Sequence, residues 1–336
     1  MKAVGFKEPL PISDVNALQD IELPTPELLE HDILVAVKAV AINPVDMKVR
    51  QSHTPQSGQY RVLGYDASGV VQAVGSKVSK FKVGDEVYYA GALIRQGSNA
   101  ELQAVDERIA AHKPATLDFA QASALPLTTL TAYETLFDRL DVAKGVPDGS
   151  KTLLIIGGGG GVGSIAIQLA KQLTDLTVIA TASRSDSQNW VRDLGADYVL
   201  DHSKDLAEQL ASLNISKPEF VFSTNDTESY IPQIAELIAP QGRLALIDDP
   251  KHLDIMPLKF KSVSVHWEFM FTRSMYETAD MVRQGKILAE LAELVDLGKI
   301  RTTANHTLNG INANTLKQAH AMIEKGDVIG KIVITA

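Results

Sequence analysis

Two patterns of hydrophobic and polar positions divide this sequence. In the first third, short apolar runs alternate with turn residues, which is the spacing of a compact β-rich domain. The runs that predict strands cover residues 33–37, 68–71, 85–89 and 100–105. Between these runs, Asn43-Pro44, Val83-Gly84-Asp85 and Gly97-Ser98-Asn99 predict turns.

From about residue 150 the pattern changes to short β-branched runs separated by amphipathic segments of helical length. The predicted strands are 152–156, 177–182, 198–200, 219–223 and 243–247, and the predicted helices are 162–173, 187–194, 206–213 and 228–238. This alternation is typical of a parallel sheet with crossover helices. Such a unit binds ligands at the carboxyl ends of its strands.

The alternation stops after Asp249-Pro250. A long helical stretch is predicted over 275–297 and a closing strand over 329–334, and we expect that apolar strand to return to the first domain. A chain of 336 residues exceeds what one hydrophobic core usually supports, so two domains are expected.

Composition narrows the possible functions. The chain is 45% hydrophobic and 22% charged, as in ordinary globular proteins. Its net charge of −9 disfavours nucleic acid and anionic membranes as partners. The absence of cysteine excludes disulfides, thiolate nucleophiles and cysteine-ligated zinc or iron–sulfur sites. We find no long apolar segment, and we expect a cytoplasmic protein.

A glycine run at residues 157–163 directly follows the first predicted strand and leads into a helix. Within it, Gly158, Gly160 and Gly163 satisfy G-x-G-x-x-G, and the amides of Gly161 and Val162 would open the helix. Glycines in this order allow a tight turn, close approach of backbone N–H groups to a diphosphate, and close packing of helix on strand. A flexible glycine linker or a turn without a ligand is the alternative.

The end of the second predicted strand bears on the choice of dinucleotide. An acidic residue there would hold a ribose 2′-hydroxyl, whereas a basic residue would accept a 2′-phosphate. The strand is followed by Ser183, Arg184 and Ser185. Arginine presents donors that match phosphate oxygens, so NADPH is the predicted cofactor. Asp186 follows closely and keeps NAD open, and a solvated surface arginine is the other interpretation.

Several longer motifs together resemble the medium-chain dehydrogenase/reductase superfamily, in its quinone-oxidoreductase branch. They lie at residues 41–46, 63–71, 83–87, 125–134 and 157–171. Residues 246–250 and 266–275 resemble the bacterial subgroup named zinc-type alcohol dehydrogenase-like. The resemblance implies a doubly wound parallel-sheet Rossmann domain (126–267) inserted into a GroES-like β-rich catalytic domain (1–125 and 268–336), with a cleft for nicotinamide and substrate.

The resemblance also implies where a catalytic zinc would be bound, and here the sequence departs from the zinc enzymes. Asn43 stands where a cysteine ligand is expected, and Tyr65 where a histidine ligand is expected. We therefore predict no metal, and substrates such as quinones or α,β-unsaturated carbonyls that need less activation than a ketone. Tyr65 is the candidate hydrogen-bond donor to the substrate oxygen, with Asn43 as a polar positioning group. A packed aromatic is the alternative for Tyr65, and we favour structural roles for Asp46 and Asp66.

The remaining candidate residues follow from the resemblance. Thr128 corresponds to a residue at the nicotinamide end, with helix capping as the alternative, and Asn225 corresponds to the cofactor loop, with a plain turn as the alternative. Trp267, Phe269 and Phe271 would form an apolar wall over the substrate, a subunit contact or ordinary core. The family's strand at 262–266 often pairs between subunits, which implies a homodimer.

Three functions remain open at this point. The leading hypothesis is an NADPH-dependent, zinc-independent oxidoreductase that transfers a hydride to a quinone or an α,β-unsaturated carbonyl. A zinc-type alcohol dehydrogenase is the second. The third is a non-catalytic NADPH-binding redox sensor, because no indispensable catalytic residue is visible in the sequence.

Overall fold

The computed structural model describes residues 1–147 and 149–336, and these form two compact units. The β-rich unit comprises Met1–Leu130 and Phe271–Ala336, and the parallel-sheet unit comprises Thr131–Met270. None of the described helices is long and apolar enough to cross a membrane.

The strands are β1 Lys2–Phe6, β2 Gln19–Glu22, β3 Asp32–Ala41, β4 Arg61–Val62, β5 Ala67–Val74, β6 Glu86–Tyr89, β7 Leu102–Asp106, β8 Ala110–His112, β9 Thr152–Ile156, β10 Thr177–Thr181, β11 Tyr198–Leu200, β12 Phe220–Ser223, β13 Arg243–Leu246, β14 Ser264–Trp267, β15 Ala304–Asn309 and β16 Lys331–Thr335.

The α-helices are α1 Pro44–Ser52, α2 Phe119–Ser123, α3 Pro126–Tyr133, α4 Gly161–Leu173, α5 Ser185–Asp193, α6 Leu206–Ser212, α7 Thr227–Leu237, α8 Thr272–Met275, α9 Val282–Asp296 and α10 Ala313–Lys325. Short 3-10 turns occur at Glu107–Ile109 and Met256–Lys261, and a π-helical segment at Glu134–Arg139.

The parallel-sheet unit contains the doubly wound sheet that the sequence predicted. Its six strands lie in the order β11-β10-β9-β12-β13-β14, and the paired strands are parallel. The chain order reverses between β9 and β12, and ligands of such sheets bind outside the strand ends at this switch point. Every residue of β9 is buried, as expected for a central parallel strand covered on both faces. The predicted Rossmann-type fold class is confirmed.

The β-rich unit is organised around the ten-residue strand β3. This strand pairs with β5, β7 and β16 in antiparallel fashion, within a sheet whose main path is β15-β16-β3-β5-β6-β8. A second sheet has the order β2-β1-β4. Because Val333 of β16 pairs with Ala41 of β3, the C-terminal strand returns to the N-terminal part of the chain, as predicted.

Two local predictions are wrong. The helix predicted over 275–297 is interrupted between α8 and α9, where Glu277 adopts a left-handed backbone conformation with φ of +45° and Thr278 and Arg273 both bond to Asp280. Asn43-Pro44 is also not a simple turn. It begins α1, because proline suits the first helical turn and Asn43 and Asp46 form a capping box.

Candidate functional site

The glycine run forms a bend between β9 and α4 that leaves no room for a side chain at Gly157 or at Gly163. Gly157 has a φ of +84°, and a Cβ there would lie 2.2 Å from Thr224 Oγ1 and 2.4 Å from Asn225 Oδ1. A Cβ at Gly163 would lie 2.3 Å from the carbonyl oxygen of Gly157. Glycine is therefore required at both positions to pack the helix onto the strand.

Glycine at position 160, in the middle of the bend, has a different explanation. A Cβ at Gly160 would meet nothing nearer than the Gly157 oxygen at 3.7 Å, so packing within the protein does not require glycine there. Gly160 is the N-cap of α4, and Ser164 N is the first amide to bond back, to Gly160 O at 2.9 Å. The preceding amides of Gly161, Val162 and Gly163 open a 13-residue helix. Unsatisfied amides and the positive dipole end suit an anionic group.

Arg184 lies at the carboxyl edge of the same sheet. Thr181 of β10 pairs with Leu200 of β11, and the chain then passes through Ser183 to Arg184, the exposed N-cap residue of α5. The carbonyl of Arg184 accepts a bond from Ser187 Oγ at 2.9 Å, which fixes the backbone of this turn. Ser183, Arg184 and Ser185 therefore follow the carboxyl end of β10 in the predicted order, and their role toward a ligand stays a prediction.

Asn225 and Thr128 occupy contrasting places. Asn225 follows β12 and lies against Gly157, with its Oδ1 3.3 Å from Thr224 Oγ1. It thus lies at the switch point of the parallel sheet. Thr128 belongs to the β-rich unit, where it is buried within α3 and its hydroxyl donates to Leu125 O at 3.2 Å. It stands inside α3 and does not cap it.

Tyr65 is held within the β-rich unit by a ring contact and a hydrogen bond. It is 1% exposed, and its ring meets the Phe271 ring edge-on with centroids 5.3 Å apart. Arg61 Nη2 donates to Tyr65 Oη at 3.2 Å. Burial raises the pKa of the Tyr65 hydroxyl, and the nearby Arg61 charge acts in the opposite direction. The hydroxyl is therefore protonated at neutral pH.

Asn43 belongs to a buried polar network of the β-rich unit. Its Nδ2 donates to Asp66 Oδ2 at 2.8 Å, and its Oδ1 accepts from Lys331 Nζ. Lys331 Nζ also donates to Asp66 Oδ2 at 2.8 Å and to the Ile42 carbonyl at 3.0 Å. Asp66 Oδ1 accepts from the Leu127 amide at 2.7 Å. A buried charge pair with this many hydrogen bonds fixes the geometry of its members.

The favoured structural role of Asp46 and Asp66 is confirmed by these contacts. Asp46 accepts from the amides of Asn43 and Gly64, each at 2.9 Å. Burial raises the pKa of Asp46 to about 7, against the effect of these donors. Asp46 thus bonds the loop amides of Asn43 and Gly64, Asp66 bonds the Leu127 amide of α3 and the Asn43 side chain, and neither carboxyl group is exposed.

The residues at the expected zinc position do not fit a zinc ion. Zinc in proteins is bound by cysteine, histidine and carboxylate donors in a closed or nearly closed shell. Here Asn43 and Asp66 already hold the Lys331 ammonium, and Tyr65 replaces the nitrogen donor. Across residues 1–147 and 149–336, no group of three histidine, cysteine or acidic side chains could hold a metal ion.

The three aromatic residues proposed as a substrate wall differ in exposure. Trp267 and Phe269 of the parallel-sheet unit are 57% and 46% exposed. Phe271 of the β-rich unit is buried against Tyr65. Trp267 ends β14, which is one of the two edge strands of the parallel sheet in the described part of the chain.

A buried pair of carboxyl groups lies beside Trp267 in sequence. Glu134 and Glu268 are both buried and hydrogen-bonded to each other, and Arg139 Nε donates to Glu268 Oε2 at 2.7 Å. Burial, together with the charge of Glu134, raises the pKa of Glu268 to about 8. The pair therefore holds a proton at neutral pH while Arg139 balances the remaining charge.

The sequence analysis missed Arg61 and Lys331. Lys331 carried a signal, because it is a lysine within an otherwise apolar closing strand, and such a charge needs a buried partner. Arg61 carried no comparable signal. Its relation to Tyr65 depends on the conformation of the loop that connects β4 to Tyr65.

Comparison with known proteins agrees with this geometry. Residues 29–115 match the family of the alcohol dehydrogenase GroES-like domain, and residues 194–334 match the zinc-binding dehydrogenase family. A zinc-type alcohol dehydrogenase-like protein from Staphylococcus epidermidis is 40% identical over 336 residues, with 99% of each chain covered. The chain belongs to the medium-chain dehydrogenase/reductase superfamily. Membership of this superfamily identifies the protein as an oxidoreductase of a nucleotide-binding dehydrogenase family.

Two further members of the superfamily are informative. A protein from Rhizobium etli, named after the zinc-dependent alcohol dehydrogenases, has a crystal structure with a TM-score of 0.98 and 57% identity, covering 100% of this chain and 98% of that one. The chloroplastic NADPH-dependent alkenal/one oxidoreductase of Arabidopsis thaliana is 31% identical over 320 residues, covering 92% of this chain and 73% of its own. The relatives thus carry names of both zinc-dependent and enone-reducing enzymes.

Proposed function

We propose that this superfamily member is an NADPH-dependent, zinc-independent reductase that transfers a hydride to a quinone or an α,β-unsaturated carbonyl. The observation that carries the proposal is the glycine bend, whose Gly163 packs against the Gly157 carbonyl while free amides open α4. Its position at the switch point of the parallel sheet supports a dinucleotide as ligand.

The diphosphate, the 2′-phosphate and the ribose of the cofactor have candidate partners within the parallel-sheet unit. The amides of Gly161 and Val162 would bind the diphosphate. Gly160, whose own amide donates to Gly157 O at 3.3 Å, would leave room for its close approach. Ser183 and Arg184 would bind the 2′-phosphate, because a guanidinium offers paired donors to phosphate oxygens. Asn225 would contact the ribose side from the end of β12. We assign Thr128 of the β-rich unit to the nicotinamide end.

The proposed substrate class follows from the chemistry of the donors in the β-rich unit. The bound dihydronicotinamide would supply the hydride. With no fitting zinc ligands, the protein itself must stabilise the charge that develops on the substrate oxygen. A conjugated acceptor spreads this charge, and the Tyr65 hydroxyl would donate a hydrogen bond to the oxygen while Asn43 and its network hold the loop in place. The enone-reducing relative from Arabidopsis supports this class over simple ketones.

We further propose that the protein acts in the cytoplasm as a homodimer. The edge strand β14 has unpaired backbone groups on one side, and Phe260, at 94% exposure, stands just before it. Exposed apolar residues beside a strand edge favour pairing with a second copy. Trp267 and Phe269 would then contribute either to that contact or to the apolar wall over the substrate.

The decisive test compares cofactors on metal-stripped protein. We expect oxidation of NADPH with simple quinones or enones, preference for NADPH over NADH, and loss of most of this preference in Arg184→Ala. Arg192→Ala, on the same helix and hydrogen-bonded to Asn189, is the matched control and should keep the preference. Failure across a broad acceptor panel with tight NADPH binding would favour the sensor hypothesis, and one tightly bound zinc per chain by elemental analysis would favour the alcohol dehydrogenase.

A further inference from the structure

Arg61 makes two hydrogen bonds that fix its guanidinium beside Tyr65. Its Nη2 donates to Tyr65 Oη at 3.2 Å and also to the carbonyl of Leu93. Arg61 is itself held on β4, where it pairs with Phe6 of β1. From this geometry we infer that Arg61 is a positioning residue that acts through Tyr65 in the reduction, an inference that rests on the function proposed above.

The hydrogen bond between Arg61 and Tyr65 has only one possible direction. A guanidinium has donors and no acceptor, so the Tyr65 oxygen must accept in this contact. The hydroxyl hydrogen of Tyr65 is therefore not used in the bond to Arg61 and is directed to another acceptor. Because Tyr65 is 1% exposed and Phe271 packs edge-on against its ring, the side chain and its oxygen are held in place by packing. Arg61 thus determines that Tyr65 donates.

The positive charge of Arg61 supports the same role. Other arginines of the β-rich unit pair with carboxylates: Arg50 with Glu324, Arg95 with Asp32, Arg108 with Asp106 and Arg273 with Asp280. The partners found for Arg61 in the described part of the chain are the neutral oxygens of Tyr65 and Leu93. Its positive charge is therefore not neutralised by an adjacent carboxylate, and it can stabilise negative charge on the Tyr65 oxygen.

These two properties match what the proposed reduction needs. The substrate gains a hydride at its β carbon and a proton at its oxygen, while the dihydronicotinamide is oxidised. The proton leaves Tyr65 Oη, a new O–H bond forms on the enolate oxygen, and Tyr65 regains a proton from solvent. The guanidinium of Arg61 stabilises the phenolate-like oxygen during this transfer. Such proton transfers contribute roughly 10²-fold to 10⁴-fold to rate.

The experiment is a double-mutant cycle of Arg61→Met and Tyr65→Phe, measured as kcat and KM for enone reduction by NADPH. We expect Tyr65→Phe to lower kcat about 100-fold and Arg61→Met about 10-fold, with acceptor KM little changed. In the Tyr65→Phe background, Arg61→Met should have no further effect on kcat, because Arg61 then has no hydroxyl to act on. Arg61→Lys should restore part of the loss, since it keeps the charge and a donor.

A pH profile separates positioning from a loss of structure. Because Arg61 opposes the rise in the pKa of Tyr65, the alkaline fall in kcat should move to higher pH in Arg61→Met. Lys7→Met is the matched control, since Lys7 is an exposed cation that stacks on the neighbouring Tyr60, and it should leave kcat and the profile unchanged. Affinity for NADPH, measured by cofactor fluorescence, should be the same in all variants.

The outcomes distinguish failure of the proposed function from failure of the positioning role of Arg61. If the unmodified protein reduces none of the acceptors, the proposed function fails and this inference fails with it. If the unmodified protein is active but Arg61→Met lowers kcat equally with and without the Tyr65 hydroxyl, the function stands and the positioning role of Arg61 is overturned. An unshifted alkaline limb in Arg61→Met overturns it in the same way.

Discussion

His320 makes the stability of the β-rich unit sensitive to acid. It lies on α10, is 0% exposed, and neither ring nitrogen has a hydrogen-bond partner among the described residues. Burial and the charge of Arg50 on the neighbouring helix α1 lower the pKa of His320 to about 3. The folded protein therefore requires a neutral imidazole at any pH above that value.

The sign and size of the effect follow from proton linkage. Between pH 6.5 and 3 the unfolded chain binds a proton at this residue while the folded chain does not, so the free energy of unfolding falls as the pH falls. The slope is about 1.4 kcal/mol per pH unit, which amounts to roughly 5 kcal/mol across the window. Above pH 6.5 this residue adds no pH dependence.

The substitution His320→Leu removes the titrating group, has a similar volume, and leaves no polar ring atom buried. We expect its stability to fall less steeply than that of the unmodified protein between pH 6.5 and 4, by about 1.4 kcal/mol per pH unit. Urea unfolding at several pH values measures this difference, and the NMR titration of the His320 ring measures its pKa directly. His252→Leu, at an exposed position, is the control. Parallel acid slopes in unmodified protein and His320→Leu would refute the reasoning.

Three further predictions concern the bend and the buried charges. Gly163→Ala should lower the free energy of unfolding by about 1–3 kcal/mol, because the new Cβ would lie 2.3 Å from a backbone oxygen. Gly160→Ala should keep the free energy of unfolding and weaken NADPH binding. Thermal unfolding measures the first effect and cofactor titration the second. The unmodified protein should lose stability as the pH rises from about 4.5 to 8, because a carboxyl group with a raised pKa stabilises the fold only while its proton is bound. Glu268→Gln should remove this loss. Urea unfolding across this pH range is the measurement. Lys331→Met should lower the free energy of unfolding by about 3–5 kcal/mol, since it leaves Asp66 buried without its cation, and equal stability in urea would contradict this.

The parallel-sheet unit was largely predictable from the sequence. Its strands at 152–156 and 198–200 were predicted to the residue. The first is a buried parallel strand, and such strands are continuous apolar runs bounded by glycine or polar residues. The bend at residues 157–163 was also predictable, since its glycines, the strand before it and the helix after it are consecutive in the sequence. The break before α9 was not visible, because the left-handed Glu277 and the bonds to Asp280 depend on tertiary context.

The candidate site of the β-rich unit was predictable in part. Asn43 and Tyr65 could be named, but their partners could not, because Lys331 is 288 residues from Asn43 in the chain. Pattern analysis detects local periodicity and has no access to contacts at this separation. The direction of the Arg61 bond to Tyr65 is likewise a property of loop conformation, which the sequence pattern did not specify.

The Lys331 ammonium explains why the zinc-derived names of the relatives do not imply a zinc site in this chain. It lies 2.8 Å from Asp66 and bonds the Asn43 side chain, so a positive charge already occupies the network at the expected metal position. Each unit of positive charge brought to about 4 Å from an ammonium costs about 4 kcal/mol at the effective dielectric of a protein surface. A divalent ion there would therefore have to displace Lys331, and restoring a cysteine at Asn43 or a histidine at Tyr65 would not by itself recreate a zinc site.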